Sequence, residues 1–231
     1  MENDRRLDKG LFMDTPRLAV AVLTYNRKDM LVKTLTSLYA DQQAEIFVYD
    51  NGSTDGSVEI VKSIGGEVNK GVNHTTGHGM NRVIDMAMKS QPEIILFSAD
   101  DFVYCERYAE RIIGFWSNAP EDIKLASCYL EPMWQWNEVS ETGDAGKEHY
   151  AIRASIPGSN WMFRASDAHL ILPIAEKTGG EDLEICHRLI SQGYRLAALD
   201  LVDHIGERES AWGNQSWKYA VEIDREGLGF K

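Results

Sequence analysis

The sequence is poor in cysteine and in basic residues, and it has no long apolar run. Its three cysteines, Cys105, Cys128 and Cys186, lie far apart without a CxxC motif, so neither a disulfide framework nor a cysteine metal site is indicated. No stretch reaches the roughly 18 apolar residues that a membrane-spanning helix needs. Residues 1–17 lack the apolar core of a signal peptide. We therefore expect a cytoplasmic protein in a reducing compartment, with no transmembrane segment.

Acidic side chains outnumber basic ones by a wide margin. The chain has 24 Lys and Arg against 36 Asp and Glu, which gives a formal net charge of −12. A protein that follows nucleic-acid phosphates needs a basic surface, so we do not expect a nucleic-acid partner. Attachment to anionic lipid through a polybasic patch is disfavoured for the same reason.

Strand-like and helix-like patterns alternate through the first half of the chain. Strands buried on both faces are continuously apolar, whereas surface helices carry apolar residues at a period near 3.6. The alternation predicts an α/β fold with a mostly parallel open sheet and helices on both faces. The predicted strands are 18–23, 46–49, 67–68 and 94–97, and the predicted helices are 28–40, 57–64 and 80–89.

The second half is less regular, which indicates a smaller, mixed part. Here we predict helices at 107–116 and 181–191 and strands at 124–129, 151–156, 161–163 and 194–199. The polar segment 131–150 is long enough to be a functional or mobile loop. The sequence contains no repeat, low-complexity tract or interdomain linker. We expect one domain over 1–231, with a nucleotide-binding half at about 18–101, an acceptor half at about 102–206 and a tail at 207–231.

Acidic residues follow two of the predicted strands, where ligands bind in an open α/β sheet. Asp50 is placed to hydrogen-bond a base or ribose, although Asp50–Ser57 also suits a β-to-α turn in which Asp55 caps the next helix. The adjacent Asp100 and Asp101 repel each other unless a cation or a proton relieves them. Their oxygens suit Mg²⁺ or Mn²⁺ held together with substrate phosphates, and a helix cap alone does not need both.

A third acidic motif, Gly180-Glu181-Asp182, opens a predicted amphipathic helix. Acidic residues in a first helical turn are favoured by the helix dipole, which is the simpler interpretation. A carboxylate within reach of an attacking hydroxyl is alternatively a general base.

Five motifs in order, between about residues 18 and 206, resemble family-2-type glycosyltransferases with the GT-A fold. They are the opening segments 21–27 and 49–57, the asparagine- and glycine-rich stretch 69–82, the Ser98–Asp101 segment, the acceptor-side strand 158–164 and the Gly180–Leu189 motif. The resemblance implies inverting, metal-dependent transfer of a sugar, a hexose by preference. The donor would be a nucleotide-diphosphate sugar, with a UDP-sugar favoured, and the acceptor a hydroxyl of a glycan or another molecule.

The resemblance also implies roles for individual residues. Asp50 would contact the nucleobase, and Asp100 would hold the ribose or the metal. Asp101 would coordinate Mn²⁺ or Mg²⁺ on the diphosphate. Asp182 would be the general base, and Glu181 belongs to the same catalytic motif. The other candidates for donor binding are Thr24, Tyr25, Asn26, Arg27, Asn51, Asp55, Asn81 and Arg82.

Two candidates and one departure complete the comparison with the family pattern. His204 stands where relatives carry a histidine that binds the metal or the diphosphate, and imidazole suits Mn²⁺ better than Mg²⁺. An ordinary hydrogen-bonded histidine is the alternative. Trp161 is the first candidate for an aromatic platform under the acceptor sugar, although most buried tryptophans fill core. Ser98 departs from the pattern because many relatives carry an aspartate there.

Two other functions fit parts of this pattern. A nucleotidyltransferase usually opens with a glycine-rich phosphate loop after the first strand, but residues 24–27 contain no glycine. A non-catalytic domain that binds nucleotide sugars or glycans needs no base. That alternative predicts that replacement of Asp182 leaves function intact.

Overall fold

The first half of the chain forms a parallel sheet with helices between its strands. The computed structural model describes residues 17–69, 73–128 and 139–204. Of residues 203 and 204, only the backbone is described. β1 lies at the centre of this half and pairs in parallel with β2 and β4, and β3 extends the sheet beyond β2. The elements are β1 Leu18–Thr24, α1 Lys28–Tyr39, β2 Ala44–Asp50, α2 Ser57–Ser63, β3 Glu67–Val68, α3 Thr76–Met88 and β4 Ile94–Ala99.

The second half continues the same sheet with mixed strand directions. β9 lies antiparallel between β4 and β6, and the full nine-stranded order is β3-β2-β1-β4-β9-β6-β10-β8-β7. β5 and β11 form a separate antiparallel pair. The elements are β5 Phe102–Tyr104, α4 Tyr108–Asn118, β6 Ile123–Ser127, β7 Val139–Ala145, β8 Glu148–Arg153, β9 Asn160–Arg164, α5 Ala168–Ile171, α6 Glu181–Ser191, β10 Arg195–Ala198 and β11 Val202–His204.

Two hydrophobic cores cover the two faces of the sheet. Successive side chains of a strand point to opposite faces, and β1 follows this rule. Leu18, Val20 and Val22 pack in one core with α1, α2 and α4, while Ala19 and Ala21 pack in the other with α3 and α6. This arrangement explains the continuous apolar run of β1 and confirms helices on both faces.

The structure corrects the prediction of a loop over 131–150. Val139–Ala145 and Glu148–Arg153 pair as an antiparallel hairpin at the edge of the sheet. The polar composition of β7 concealed this strand, because six of its seven residues lie outside the core. Residues 131–138, with Trp134 and Trp136, lie outside the described part of the chain.

Three short elements, β5, β11 and α5, were absent from the prediction, and α3 begins at Thr76, earlier than expected. Elements of three or four residues are too short to show a period. Within the described ranges, none of the helices is both long and apolar enough to cross a membrane.

Candidate active site

Several of the predicted donor residues meet at the carboxyl ends of β1, β2 and β4. Thr24, the last residue of β1, is the register partner of Asp50, the last residue of β2. The Thr24 hydroxyl donates a hydrogen bond of 2.5 Å to Oδ2 of Asp100, just beyond β4. Thr24 therefore stands between two of the predicted carboxylates, as the parallel order of these strands requires.

Asp50 is fully buried, and only one of its two carboxylate oxygens has hydrogen-bond partners among the described residues. Its Oδ1 accepts hydrogen bonds from the backbone N–H groups of Gly52 (2.9 Å) and Ser53 (2.8 Å). Its Oδ2 is buried and has no hydrogen-bond partner among the described residues. An unsatisfied buried carboxylate oxygen is costly unless a ligand donor meets it. The Asn51 side chain beside it is held by Asn73 and the backbone of His74.

Asp100 and Asp101 form a buried acidic pair that Arg27 contacts. Nη1 of Arg27 lies 2.6 Å from Oδ2 of Asp101 and 3.3 Å from Oδ1 of Asp100. Burial raises the pKa of Asp100 to about 6, and the nearby Arg27 and the hydrogen bond from Thr24 oppose this shift. Two carboxylates thus face one guanidinium.

A left-handed residue orients Arg27. Asn26 has φ of 52°, which is uncommon for a residue other than glycine. Its N–H donates to Oγ of Ser53 at 2.8 Å, and its Oδ1 accepts from the N–H of Thr54 at 2.7 Å. Both bonds tie the end of β1 to the segment after β2 and turn the next residue, Arg27, toward the acidic pair.

The acidic pair fits a divalent cation that is shared with a phosphate ligand. The described residues contain no group of three or more His, Cys, Asp or Glu side chains able to hold a metal alone. Mg²⁺ and related hard cations commonly use one or two carboxylates and complete their shell with water and phosphate oxygens. Asp100 and Asp101 offer such a set.

Strand pairing brings the backbone of His204 close to this acidic pair. β11 places His204 opposite Phe102, the residue that follows Asp101. The side chain of His204 lies outside the described part of the structure, so its predicted role as a metal ligand stays a prediction.

The third acidic motif reaches the same end of the sheet through the segment before β9. Oδ2 of Asp182 accepts a hydrogen bond of 3.1 Å from the N–H of Gly158. A Cβ at Gly158 would lie 2.8 Å from Cβ of Asp182, so glycine is needed for this approach. The next residue, Ser159, accepts a 2.7 Å bond from the N–H of Ala99, which precedes Asp100. These contacts connect Asp182 to the acidic pair.

Glu181 and Asp182 occupy the first turn of α6. Burial raises the pKa of Asp182, against hydrogen bonds from the N–H groups of Leu183 and Gly158. Glu181 is 8% exposed, and its Oε2 has no hydrogen-bond partner within the described residues. Burial and the charge of Asp182 raise the pKa of Glu181 to about 7. A carboxyl whose pKa lies near neutrality is suited to proton transfer.

Three predicted donor residues make contacts that support the fold. Asp55 accepts from the N–H groups of Lys28 (2.9 Å) and Ser57 (3.0 Å), the first residues of α1 and α2, although the N-cap of α2 is Gly56 and not Asp55 as the capping interpretation expects. Asn81 forms two bonds with the backbone of Ile174, at 2.7 and 2.8 Å. Arg82 is exposed and pairs with Glu67. Tyr25, beside Thr24, is half-buried.

The structure corrects the expectation for Trp161. Its side chain is fully buried in the core and packs on Phe97, with ring centroids 6.2 Å apart. A platform for a sugar needs an open ring face, so Trp161 has a packing role. Ser98 is also fully buried, and its hydroxyl bonds the carbonyl of Ala99.

Two contributions were missed from the sequence. Gly158 was expected only as part of the acceptor-side strand 158–164, although it permits the approach of Asp182. Arg27 was expected at the donor, but its contact with Asp101 spans 74 residues of sequence. A glycine before a strand and an arginine after one are too common to signal these contacts.

Comparison with known proteins decides the family. The model of glycosyl transferase family 2 matches residues 19–165, which include the ends of β1, β2 and β4. The chain belongs to this family. The match contains Asp50, Asp100 and Asp101 but ends before Asp182.

Solved glycosyltransferase structures share the architecture of this family 2 member, which confirms the GT-A fold. Mannosyltransferase PcManGT from Pyrobaculum calidifontis, in complex with GDP-Man and Mn²⁺, aligns with TM-score 0.64 and 17% identity over 94% of this chain and 66% of that chain. GalNAc-T7 with UDP, GalNAc and Mn²⁺ aligns with TM-score 0.64 and 15% identity over 91% of this chain and 48% of that chain. The chain thus spans about two thirds and about half of these proteins.

Proposed function

We propose that this family 2 member is a metal-dependent inverting glycosyltransferase. It moves a sugar from a nucleotide-diphosphate sugar, with a UDP-sugar favoured, to an acceptor hydroxyl on a glycan or another molecule. The observation that carries this proposal is the convergence of three acidic motifs at one end of the sheet. Asp50, Asp100 and Asp101 follow β2 and β4, and Asp182 is connected to them through Gly158.

In this proposal the donor lies across the ends of β1, β2 and β4. The free Oδ2 of Asp50 accepts an N–H of the nucleobase, which satisfies a buried oxygen that has no partner in the described structure. Asp100 and Asp101 hold a divalent cation, with His204 as a further ligand. When bound, the cation neutralises charge on the leaving diphosphate. Both structural relatives contain Mn²⁺ and a nucleotide or nucleotide sugar, which supports this assignment.

Asp182 acts as the general base in the proposed transfer. Its carboxylate takes the proton of the acceptor hydroxyl while that oxygen forms a bond to the anomeric carbon. The bond from this carbon to the diphosphate oxygen breaks, and the nucleotide diphosphate leaves with the bonding electrons. Attack from the opposite side inverts the configuration. The raised pKa of Asp182 makes it a stronger base than an exposed aspartate.

The first test is calorimetric titration of the protein with UDP, GDP, dTDP and CDP, with Mn²⁺ and again with EDTA. We expect selective binding of one nucleotide, lost in EDTA and weakened in Asp101→Asn. Exposed Asp85→Asn is the matched control and should bind as the wild type does. If no nucleotide binds either with Mn²⁺ or with EDTA, the assignment of these residues as a donor site is wrong.

Asp182→Asn then separates catalysis from binding. Asparagine keeps an oxygen for the N–H of Gly158, so the fold and nucleotide binding should persist. Loss of a general base lowers rates by about 10²- to 10⁴-fold, which a transfer assay with the sugar of the selected nucleotide measures. Undiminished function in this variant would favour the binding-domain alternative.

A further inference from the structure

We propose that Arg27 is an internal counter-ion that competes with the divalent cation for Asp100 and Asp101. The cation then binds tightly only together with the diphosphate of the donor. The diphosphate oxygens replace the two carboxylates as hydrogen-bond acceptors of the Arg27 guanidinium. This inference rests on the proposed function and adds that the cation and the donor bind the site together.

The guanidinium already lies on the oxygens that a cation would use. Nη1 of Arg27 bonds Oδ2 of Asp101 at 2.6 Å and approaches Oδ1 of Asp100 at 3.3 Å. The side chains of the two acids are 3% and 9% exposed, against 23% for Arg27. A charged pair removed from water in this way is screened little by salt. Separating Arg27 from the two carboxylates without another partner is therefore unfavourable in free energy.

The side chain of Arg27 makes no contribution to the N-terminus of the helix that it precedes. Arg27 is the N-cap of α1 and makes no capping bond with its side chain. Helix N-caps favour Ser, Thr, Asp and Asn, and a positive charge at a helix N-terminus is unfavourable. The strained Asn26 and its bonds to Ser53 and Thr54 nevertheless fix the chain direction here. Strain of this kind concentrates at functional sites.

A divalent cation and the guanidinium cannot both contact Oδ2 of Asp101, because two positive charges would then lie within a few ångströms of each other. A donor diphosphate removes the conflict. Its oxygens accept hydrogen bonds from arginine in a fork geometry and also complete the shell of the cation. Each ligand therefore strengthens the other, and this coupling is reciprocal.

Binding of Mn²⁺ alone, followed by electron paramagnetic resonance of the free ion, tests the competition. We expect Arg27→Gln to bind Mn²⁺ about tenfold more tightly than the wild type, since a charge-assisted bond contributes about that factor. Arg27→Lys keeps the charge and should stay near the wild-type affinity. The double variant Arg27→Gln with Asp101→Asn should lose the gain, which assigns it to the acidic pair.

Repetition of the Mn²⁺ titration with the nucleoside diphosphate selected by calorimetry tests the coupling. The increase in Mn²⁺ affinity caused by the nucleotide should be smaller in Arg27→Gln than in the wild type. An unchanged Mn²⁺ affinity in Arg27→Gln, or an undiminished coupling, would overturn the inference. Failure of the proposed function is recognised separately, because the wild type would then bind no nucleotide. Thermal unfolding of each variant verifies that it folds.

Discussion

At the scale of single residues, the carboxylates of this site are compensated in different ways. Asp100 has Thr24 and Arg27, while Asp50 and Asp182 have backbone N–H groups. Glu181 also has backbone N–H partners, but the charge of its neighbour Asp182 adds to burial in raising its pKa. The ionised form of Glu181 should therefore oppose folding.

We predict that Glu181→Gln stabilises the protein at alkaline pH. The pKa of Glu181 rises from 4.5 to about 7 on folding, so its favourable contribution is complete below 4.5 and is lost as the pH rises through 7. The difference in unfolding free energy between variant and wild type should grow over this range by up to about 3 kcal/mol, at 1.36 kcal/mol for each pKa unit.

Urea unfolding at pH 4.5, 6 and 8 measures this difference. Glu184→Gln is the matched control on the same helix, because Glu184 is exposed and pairs with Lys177. A difference between Glu181→Gln and the wild type that does not change with pH would contradict the prediction.

At the scale of elements, the N-terminus of α3 connects the two halves of the site. Gly77 donates its N–H to the carbonyl of Lys177 at 3.1 Å, and Asn81 binds Ile174. The segment 174–177 leads through Gly179 and Gly180, both with positive φ, into α6. The position of α3 thereby helps to fix the helix that carries Asp182.

We expect Gly77→Ala to destabilise the protein by about 1–3 kcal/mol, the usual cost of overpacking. A Cβ at Gly77 would overlap the carbonyl oxygen of Ala175, which is backbone and cannot rotate away. Gly114→Ala in α4 is the control, since a Cβ there meets nothing within 4 Å. It should stabilise by about 0.5–1 kcal/mol through helix propensity. Urea unfolding measures the stability of both variants. Equal stability of the two would show that segment 174–177 moves to accommodate the added Cβ without cost.

At the scale of the whole molecule, each core draws on both halves of the chain. The first core joins Val20 of β1 to Tyr150 of β8, and the second joins Ala21 of β1 to Leu196 of β10. Neither half has a core of its own among the described residues. The predicted division at about residue 101 is therefore a division of proposed function along one continuous sheet.

We predict that the two halves unfold together in a single cooperative transition. The buried Trp116 and Trp161 lie in different cores. In a background in which the other four tryptophans are replaced by Phe, Trp116→Phe and Trp161→Phe each leave one core with the single fluorescent reporter. The urea midpoints of each variant, followed by fluorescence and by far-ultraviolet circular dichroism, should coincide. Separate midpoints within one variant would indicate two independently folding units.

The sequence by itself determined the features that depend on local periodicity. The run of β1 is continuously apolar because both its faces are covered, and α6 spans residues 181–191 as predicted. The motif acids at the ends of β2 and β4 had to converge because parallel strands share one carboxyl edge. These inferences needed only neighbouring residues and one rule of sheet topology.

Only the tertiary structure decided how distant segments meet. It inserted β9 antiparallel between β4 and β6, buried Trp161, paired Arg27 with Asp101 and joined Asp182 to Gly158. The hairpin of β7 and β8 also emerged only there, since an edge strand with polar faces has no core pattern. Such contacts are selected by packing and by charge compensation across the whole molecule, and no short window of sequence records them.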